Sequence, residues 1–197
     1  MTGCRLIIFR GDSITAGLHA PPGLDYVSLV ERRLAPLGAR VVRLAVPGET
    51  ASEMAARAAA EIDPLHEPRL GRGLVVLLAG TNDLDAGAPG EAILDSIAAF
   101  CRGRRVRGFA VVAATLSPYG ATEAPERLER ERRALNAALR AGWRGFADAL
   151  ADVGGDPALD DPARVADPAL FVDRVHPAAA GHAIIARHVG DALAALL

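Results

Sequence analysis

Apolar runs alternate with amphipathic segments along the whole of this 197-residue chain, and that alternation narrows the possible folds more than any other feature. Leu6 to Phe9, Arg40 to Val46, Leu74 to Ala79, Phe109 to Ala114 and Phe146 to Leu150 read as strands. Leu74 to Ala79 is almost continuously apolar, as a strand covered on both faces must be. Between the strands, Tyr26, Val27, Leu29, Val30, Leu34 and Leu37 recur at helical spacing. Ser52 to Ile62, Glu91 to Cys101 and Glu126 to Trp143 form further helices, and Pro177 opens a last one running towards Leu196. Strands alternating with helices predict an α/β fold: a three-layer α/β/α sandwich around a five-stranded parallel sheet. No internal repeat or second unit is visible, so residues 1–197 read as a single domain. Asp152 to Pro168, rich in Asp, Pro and Gly, reads as a long loop of low regularity, a kind of connection that is usually functional or disordered.

Composition excludes several classes of function. Hydrophobic residues make up 51% of the chain and charged residues 23%, as in a globular protein rather than a disordered one. The formal net charge is −2, and no basic stripe interleaved with aromatics offers a footprint for nucleic acid. All 22 basic residues are Arg, so a lysine-bearing phosphate loop is excluded, and no Gly-x-Gly-x-x-Gly turn follows the first strand. No apolar stretch approaches a membrane span, and the polar lead Met1 to Arg5 lacks the pattern of a secretory leader; both fit a cytoplasmic protein. Cys4 and Cys101 suggest no disulfide framework and read as buried thiols.

The chemistry gathers where strands end. Strand one leads into Gly11-Asp12-Ser13-Ile14-Thr15, strand two into Pro47-Gly48-Glu49-Thr50, and strand three into Gly80-Thr81-Asn82-Asp83. In a parallel sheet these three turns emerge on one edge, where ligands of open α/β sheets bind. A fourth segment, Asp173-Arg174-Val175-His176-Pro177, precedes the last helix.

In this order and spacing, the four segments resemble the blocks of the SGNH hydrolases, the GDSL esterase/lipase family. The family's Ser, Gly, Asn and His match Ser13, Gly48, Asn82 and His176. Gly-Asp-Ser alone is a weak signal; with Gly-Thr-Asn-Asp and Asp-x-x-His-Pro it is a specific one. The resemblance implies a flavodoxin-like sheet and an oxyanion hole made by the N–H of Ser13, the N–H of Gly48 and the side-chain amide of Asn82.

Residue chemistry points the same way. A serine hydroxyl needs a base to take its proton, and the base needs an orienting partner. His176 precedes a proline and is therefore biased towards extended or turn backbone. Asp173, three residues earlier, can reach its imidazole. Gly48 lets the backbone approach a substrate closely. Asp12 and Asp83 read as braces for their loops. His19 is a rival base, with Asp25 as its possible partner; His182 reads as a packing residue, and His66 and His188 as surface positions.

The expected activity is hydrolysis of a small-molecule acyl ester, short-chain or acetyl, through Ser13, His176 and Asp173, with no metal or organic cofactor. Thioester hydrolysis or acyl transfer by the same acyl-enzyme, and a catalytically silent binding module of this fold, are the alternatives. An α/β-hydrolase is disfavoured because Gly-x-Ser-x-Gly is absent around Ser13. Glu49, Thr50, Leu84, Ser117, Pro118 and Tyr119 follow strand ends on the same edge and are the expected substrate walls. Two residues depart from the family pattern. Arg43 stands where an Asn is common and is expected not to brace the loop as Asn would; Arg10 stands where an apolar residue is frequent.

Overall fold

The computed structural model describes residues 6–120 and 125–197, apart from the side chain of Leu70; Cys4 lies outside them. β1 (Leu6–Gly11) is buried along its whole length. Each wholly covered side chain such as Ile7, Ile8 or Phe9 contributes about 1.5–3 kcal/mol relative to exposure. β3 (Leu74–Leu78) and β4 (Ala110–Ala114) are buried in the same way, whereas β2 (Arg40–Ala45) is half open to solvent and β5 (Ala149–Ala151) has three residues. The strands pair in parallel in the order β2-β1-β3-β4-β5.

That order fixes where helices and ligands go. The chain steps one way from β1 to β2, then reverses past β1 to β3, β4 and β5. Right-handed crossovers therefore place α2 (Tyr26–Leu34) on one face and α3 (Ala51–Glu61), α5 (Gly90–Val106) and α6 (Pro125–Gly142) on the other. The contacts agree: α3 packs on α5, α5 on α6, and α2 on the last helix, α7 (Ala179–Ala194). The reversal between β1 and β3 leaves a crevice at the carboxyl ends of the strands. Gly11 is level with both Ala45 and Leu78, so β1, β2 and β3 release their following turns side by side.

Several boundaries differ from the sequence expectation for physical reasons. α5 runs on to Val106 because an Arg-rich last turn extends it beyond the apolar stripe. Phe146 and Ala147 sit in the turn before β5 rather than in the strand. Pro177 does not open the last helix; it bridges to Phe171, and α7 starts two residues later. The segment from Asp152 to Pro168 is not structureless. It buries Val153, Leu159 and Val165 and carries 3-10 turns at Val153–Gly155 and Pro162–Ala166. Within it Asp156 and Asp161 each accept the N–H two residues on.

Candidate active site

Ser13 is the first residue of the short helix α1 (Ser13–Ala16), directly after β1. Asp12 caps that helix by accepting the Ile14 N–H at 2.9 Å, which fixes the turn. A Cβ on Gly11 would lie 2.0 Å from Thr15 Oγ1 and 2.7 Å from the Leu78 carbonyl oxygen, so only glycine permits this close return of the chain. Thr15 Oγ1 in turn bonds the Tyr26 hydroxyl at 2.8 Å.

His176 arrives from the other end of the sequence on a tight loop. The Phe171–Pro177 bridge and the Val172 N–H bond to the His176 carbonyl close that loop. Inside it, Asp173 Oδ1 accepts the N–H groups of Val175 and His176 at 3.1 and 2.8 Å. This leaves Oδ2 to meet His176 Nδ1 at 2.7 Å, while His176 Nε2 lies 2.9 Å from Ser13 Oγ. Partial burial pushes the Asp173 carboxyl up, but the bonds from His176 and Val175 outweigh it and hold it below the usual range. Asp173 is therefore a carboxylate at neutral pH.

Gly48 and Asn82 lie in the turns that follow β2 and β3 at the same edge of the sheet as Ser13. Gly48 has φ +82° and open space where a Cβ would be. Among the described residues neither its N–H nor that of Ser13 has a hydrogen-bond partner. Asn82 lies in α4 (Thr81–Asp85), and its Nδ2 donates to the Glu49 carbonyl at 2.9 Å, with Asp12 Oδ2 more distant at 3.4 Å. Asp83 accepts the Ala51 N–H at 2.8 Å and so ties α4 to the start of α3. Asp12 and Asp83 brace these loops as expected. Burial, only partly opposed by the Ile14 bond, pushes the Asp12 carboxyl up to about 6.

The expected wall residues separate into two groups. Thr50 is half-buried and caps α3 reciprocally with Glu53, and Tyr119 is half-buried at the end of a segment after β4 in which Ser117 and Pro118 are themselves buried. Tyr119 is pushed up to about 12 by burial and a bond to Asp85, with the charge of Asp173 also felt. Leu84, by contrast, is in the core. Successive helical residues turn by about 100°, so a residue two after an outward-facing Asn82 points inward. Glu49 is buried too, its carboxylate turned to Arg10 at 2.6 Å and Arg57 at 3.0 Å. A hollow of about 270 Å³ beside Gly48 is lined by Val46, Pro47, Glu49, Glu53 and Arg57 as well.

Arg10 and Arg43 have duties that the local sequence pattern hid. Arg10 is wholly buried, pairing with Glu49 and Glu61 and donating to the Leu44 carbonyl. An arginine ending an apolar strand is itself a signal, since such a charge is buried only when a counter-charge comes with it. Arg43 braces the first loop, though not in the way an Asn would. Its long guanidinium reaches the Ala16 carbonyl at 2.9 Å and Asp25 at 2.6 Å. Asp25 is thereby committed to Arg43 and to capping α2, so it does not serve His19. His188 is also not a simple surface position: it bonds the buried Asp156 at 2.9 Å. His66 is half-buried against the Phe109 ring, and His182 is packed fully inside against Tyr26.

With this geometry in hand, comparison with known families is decisive. A model described as the GDSL-like lipase/acylhydrolase family matches residues 9–184, from β1 into α7. The chain belongs to that family. It is thus a carboxylic ester hydrolase of the GDSL type, acting on a small-molecule ester. No curated protein sequence matches it. Among solved structures it is similar to TesA, at 24% identity over 98% of this chain and 100% of that one, with a TM-score of 0.75. A lipolytic G-D-S-L protein from Veillonella parvula is 17% identical over 97% and 99%, with a TM-score of 0.80. A mutant of Axe2, an acetyl-xylooligosaccharide esterase from Geobacillus, is 21% identical over 96% and 94%, with a TM-score of 0.74. At these identities the likeness is one of fold, and it bears out the SGNH-type α/β architecture. Among the described residues, no helix is long and apolar enough to cross a membrane.

Proposed function

We propose that this chain, as one domain over residues 1–197, is a serine esterase that hydrolyses short-chain or acetyl esters by way of an acyl-enzyme. The observation that carries the reading is the unbroken hydrogen-bond chain Ser13 Oγ–His176 Nε2 and His176 Nδ1–Asp173 Oδ2, at 2.9 and 2.7 Å. With Asp173 accepting the Nδ1 proton, neutral His176 presents a bare Nε2 lone pair to the Ser13 hydroxyl.

Ser13 Oγ attacks the ester carbonyl as its proton passes to His176 Nε2. The carbonyl oxygen becomes an oxyanion that receives the Ser13 and Gly48 N–H groups and the second amide hydrogen of Asn82, which gives up its longer contact with Asp12 while the first stays with Glu49. His176 then returns the proton to the departing alkoxide, which leaves as the alcohol. Water repeats the sequence on the acyl-Ser13 ester and releases the acid.

A fluorophosphonate probe and a panel of p-nitrophenyl esters of rising chain length test this on wild type and Ser13→Ala. Wild type is expected to be labelled and to prefer acetate or butyrate, with both signals lost in Ser13→Ala. Equal labelling or equal turnover in the two proteins refutes the nucleophile. A preference for long chains refutes the substrate class.

A further inference from the structure

His19 is the one histidine near the site that the esterase reading leaves without a task. It lies on the loop after α1, with φ +63°, a left-handed backbone that non-glycine residues rarely adopt. The Leu18 N–H bond to the Ser13 carbonyl and the Ala20 N–H bond to the Gly17 carbonyl hold it there. This places the imidazole edge-on to His176, ring centroids 5.2 Å apart, with His19 Nε2 3.7 Å from Asp173 Oδ2. One ligand atom from each of His19, Asp173 and His176 lies within 4.8 Å of the others.

We propose that His19, Asp173 and His176 form a site for a zinc-like divalent cation that reversibly switches the esterase off. Two imidazoles and one carboxylate are donors that suit zinc, whereas magnesium and calcium prefer oxygen ligands. A tetrahedral zinc ion with bonds of about 2.0–2.2 Å holds its ligand atoms about 3.3 Å apart. The two measured edges, 3.7 Å from His19 to Asp173 and 2.7 Å from His176 to Asp173, bracket that value. Admitting the ion takes a small outward shift of the Asp173 carboxylate and an approach of the His19 ring, with the His19–His176 edge, at most 4.8 Å, closing with it. Asp173 is already prepared for such a role: Oδ1 is fixed by two backbone N–H groups, and Oδ2 is turned towards both rings. The side chains of His19 and Asp173 are 49% and 41% exposed, so the ion has an open path and a fourth position for water.

The inhibitory chemistry follows from the two nitrogens of His176. A metal at Nδ1 takes that lone pair and displaces its proton, and the neutral ring then carries its hydrogen on Nε2. Ser13 Oγ faces an N–H instead of a lone pair, and nothing remains to accept its proton. The ion also neutralises the Asp173 charge that would stabilise the imidazolium. This inhibition rests on the proposed roles of Ser13, His176 and Asp173; the binding itself does not.

The test combines zinc calorimetry on chelator-treated full-length protein with esterase rates across a zinc titration. His19→Asn is the informative variant, because Asn tolerates the left-handed backbone. Wild type is expected to bind one zinc ion at micromolar concentration and to lose activity in step, with recovery on adding EDTA. His19→Asn should keep its zinc-free rate within about twofold while binding and inhibition weaken at least tenfold. Ser13→Ala should bind zinc like wild type, and millimolar magnesium should leave the wild-type rate unchanged. Equal zinc affinity in wild type and His19→Asn, or full activity with the site saturated, overturns the proposal. Absence of esterase activity before any zinc is added counts against the functional reading, and the calorimetry then decides the site alone.

Discussion

Replacing His182 by Asn should change how stability depends on pH, by an amount that the surroundings of the ring set. His182 is wholly buried in α7, stacks on the Tyr26 ring at 6.3 Å, and accepts the Tyr26 N–H on Nδ1 at 3.3 Å. Burial pushes its pKa down from 6.5 to about 4, with the negative charge of Asp25 only partly opposing. Between those values the unfolded chain takes up a proton that the folded protein refuses. Stability from this group is therefore complete above pH 6.5 and is lost as pH falls towards 4. Asn offers an oxygen near the position of Nδ1 and does not titrate, so it costs packing at every pH but escapes the acid loss. Urea unfolding followed by circular dichroism at pH 7.5 and 4.5 should show the stability gap between wild type and variant closing by about 2–3 kcal/mol. Asp12 has the opposite sign. Burial raises its pKa from 3.8 to about 6, so stability is highest below 3.8 and is lost as pH rises to 6. Relative to wild type, Asp12→Asn should gain a comparable amount over that interval. A gap that stays constant with pH in both variants refutes this account.

Glu49→Gln leaves the wholly buried Arg10 without its nearest counter-charge and should cost about 3–5 kcal/mol in thermal or urea unfolding. Adding Arg10→Leu to that variant should recover much of the loss. Asn82→Ala removes one of the proposed oxyanion donors and is expected to lower kcat about 10²–10³-fold, with little change in the melting temperature. Asp173→Asn should leave a folded protein slower by up to about 10⁴-fold, read from steady-state hydrolysis. A rate near wild type in either variant removes that residue from the mechanism.

Most of the sheet was legible because each strand is written locally, as an apolar run ended by a turn. The strand-end segments carrying Ser13, Gly48 and Asn82 were legible for the same reason, and parallel pairing then had to bring them together. Leu84 was misjudged because a position after a strand end does not reveal which way a short helix turns its side chains. Arg10 and Glu49 are 39 residues apart, and no local pattern records their pairing. Arg43 braces by length and charge what a shorter amide would brace by proximity. The segment from Asp152 to Pro168 looked irregular because its order comes from Asp turns and three isolated apolar anchors rather than from periodicity.

The outermost strand gives Arg43 a second consequence. β2 closes the sheet on the side away from β3, and an open strand border invites another chain to pair with it. Its sequence, Arg40-Val41-Val42-Arg43-Leu44-Ala45, interrupts an otherwise β-prone apolar stretch with two charges, one engaged by Glu67 and the other by Asp25. Arg43→Val would join Val41 to Val46 into six uninterrupted apolar residues on that border, the signature of a self-associating segment. The residue that steadies the loop behind Ser13 is thus also a gatekeeper against aggregation, so losses of activity and of solubility in its variants should arise together.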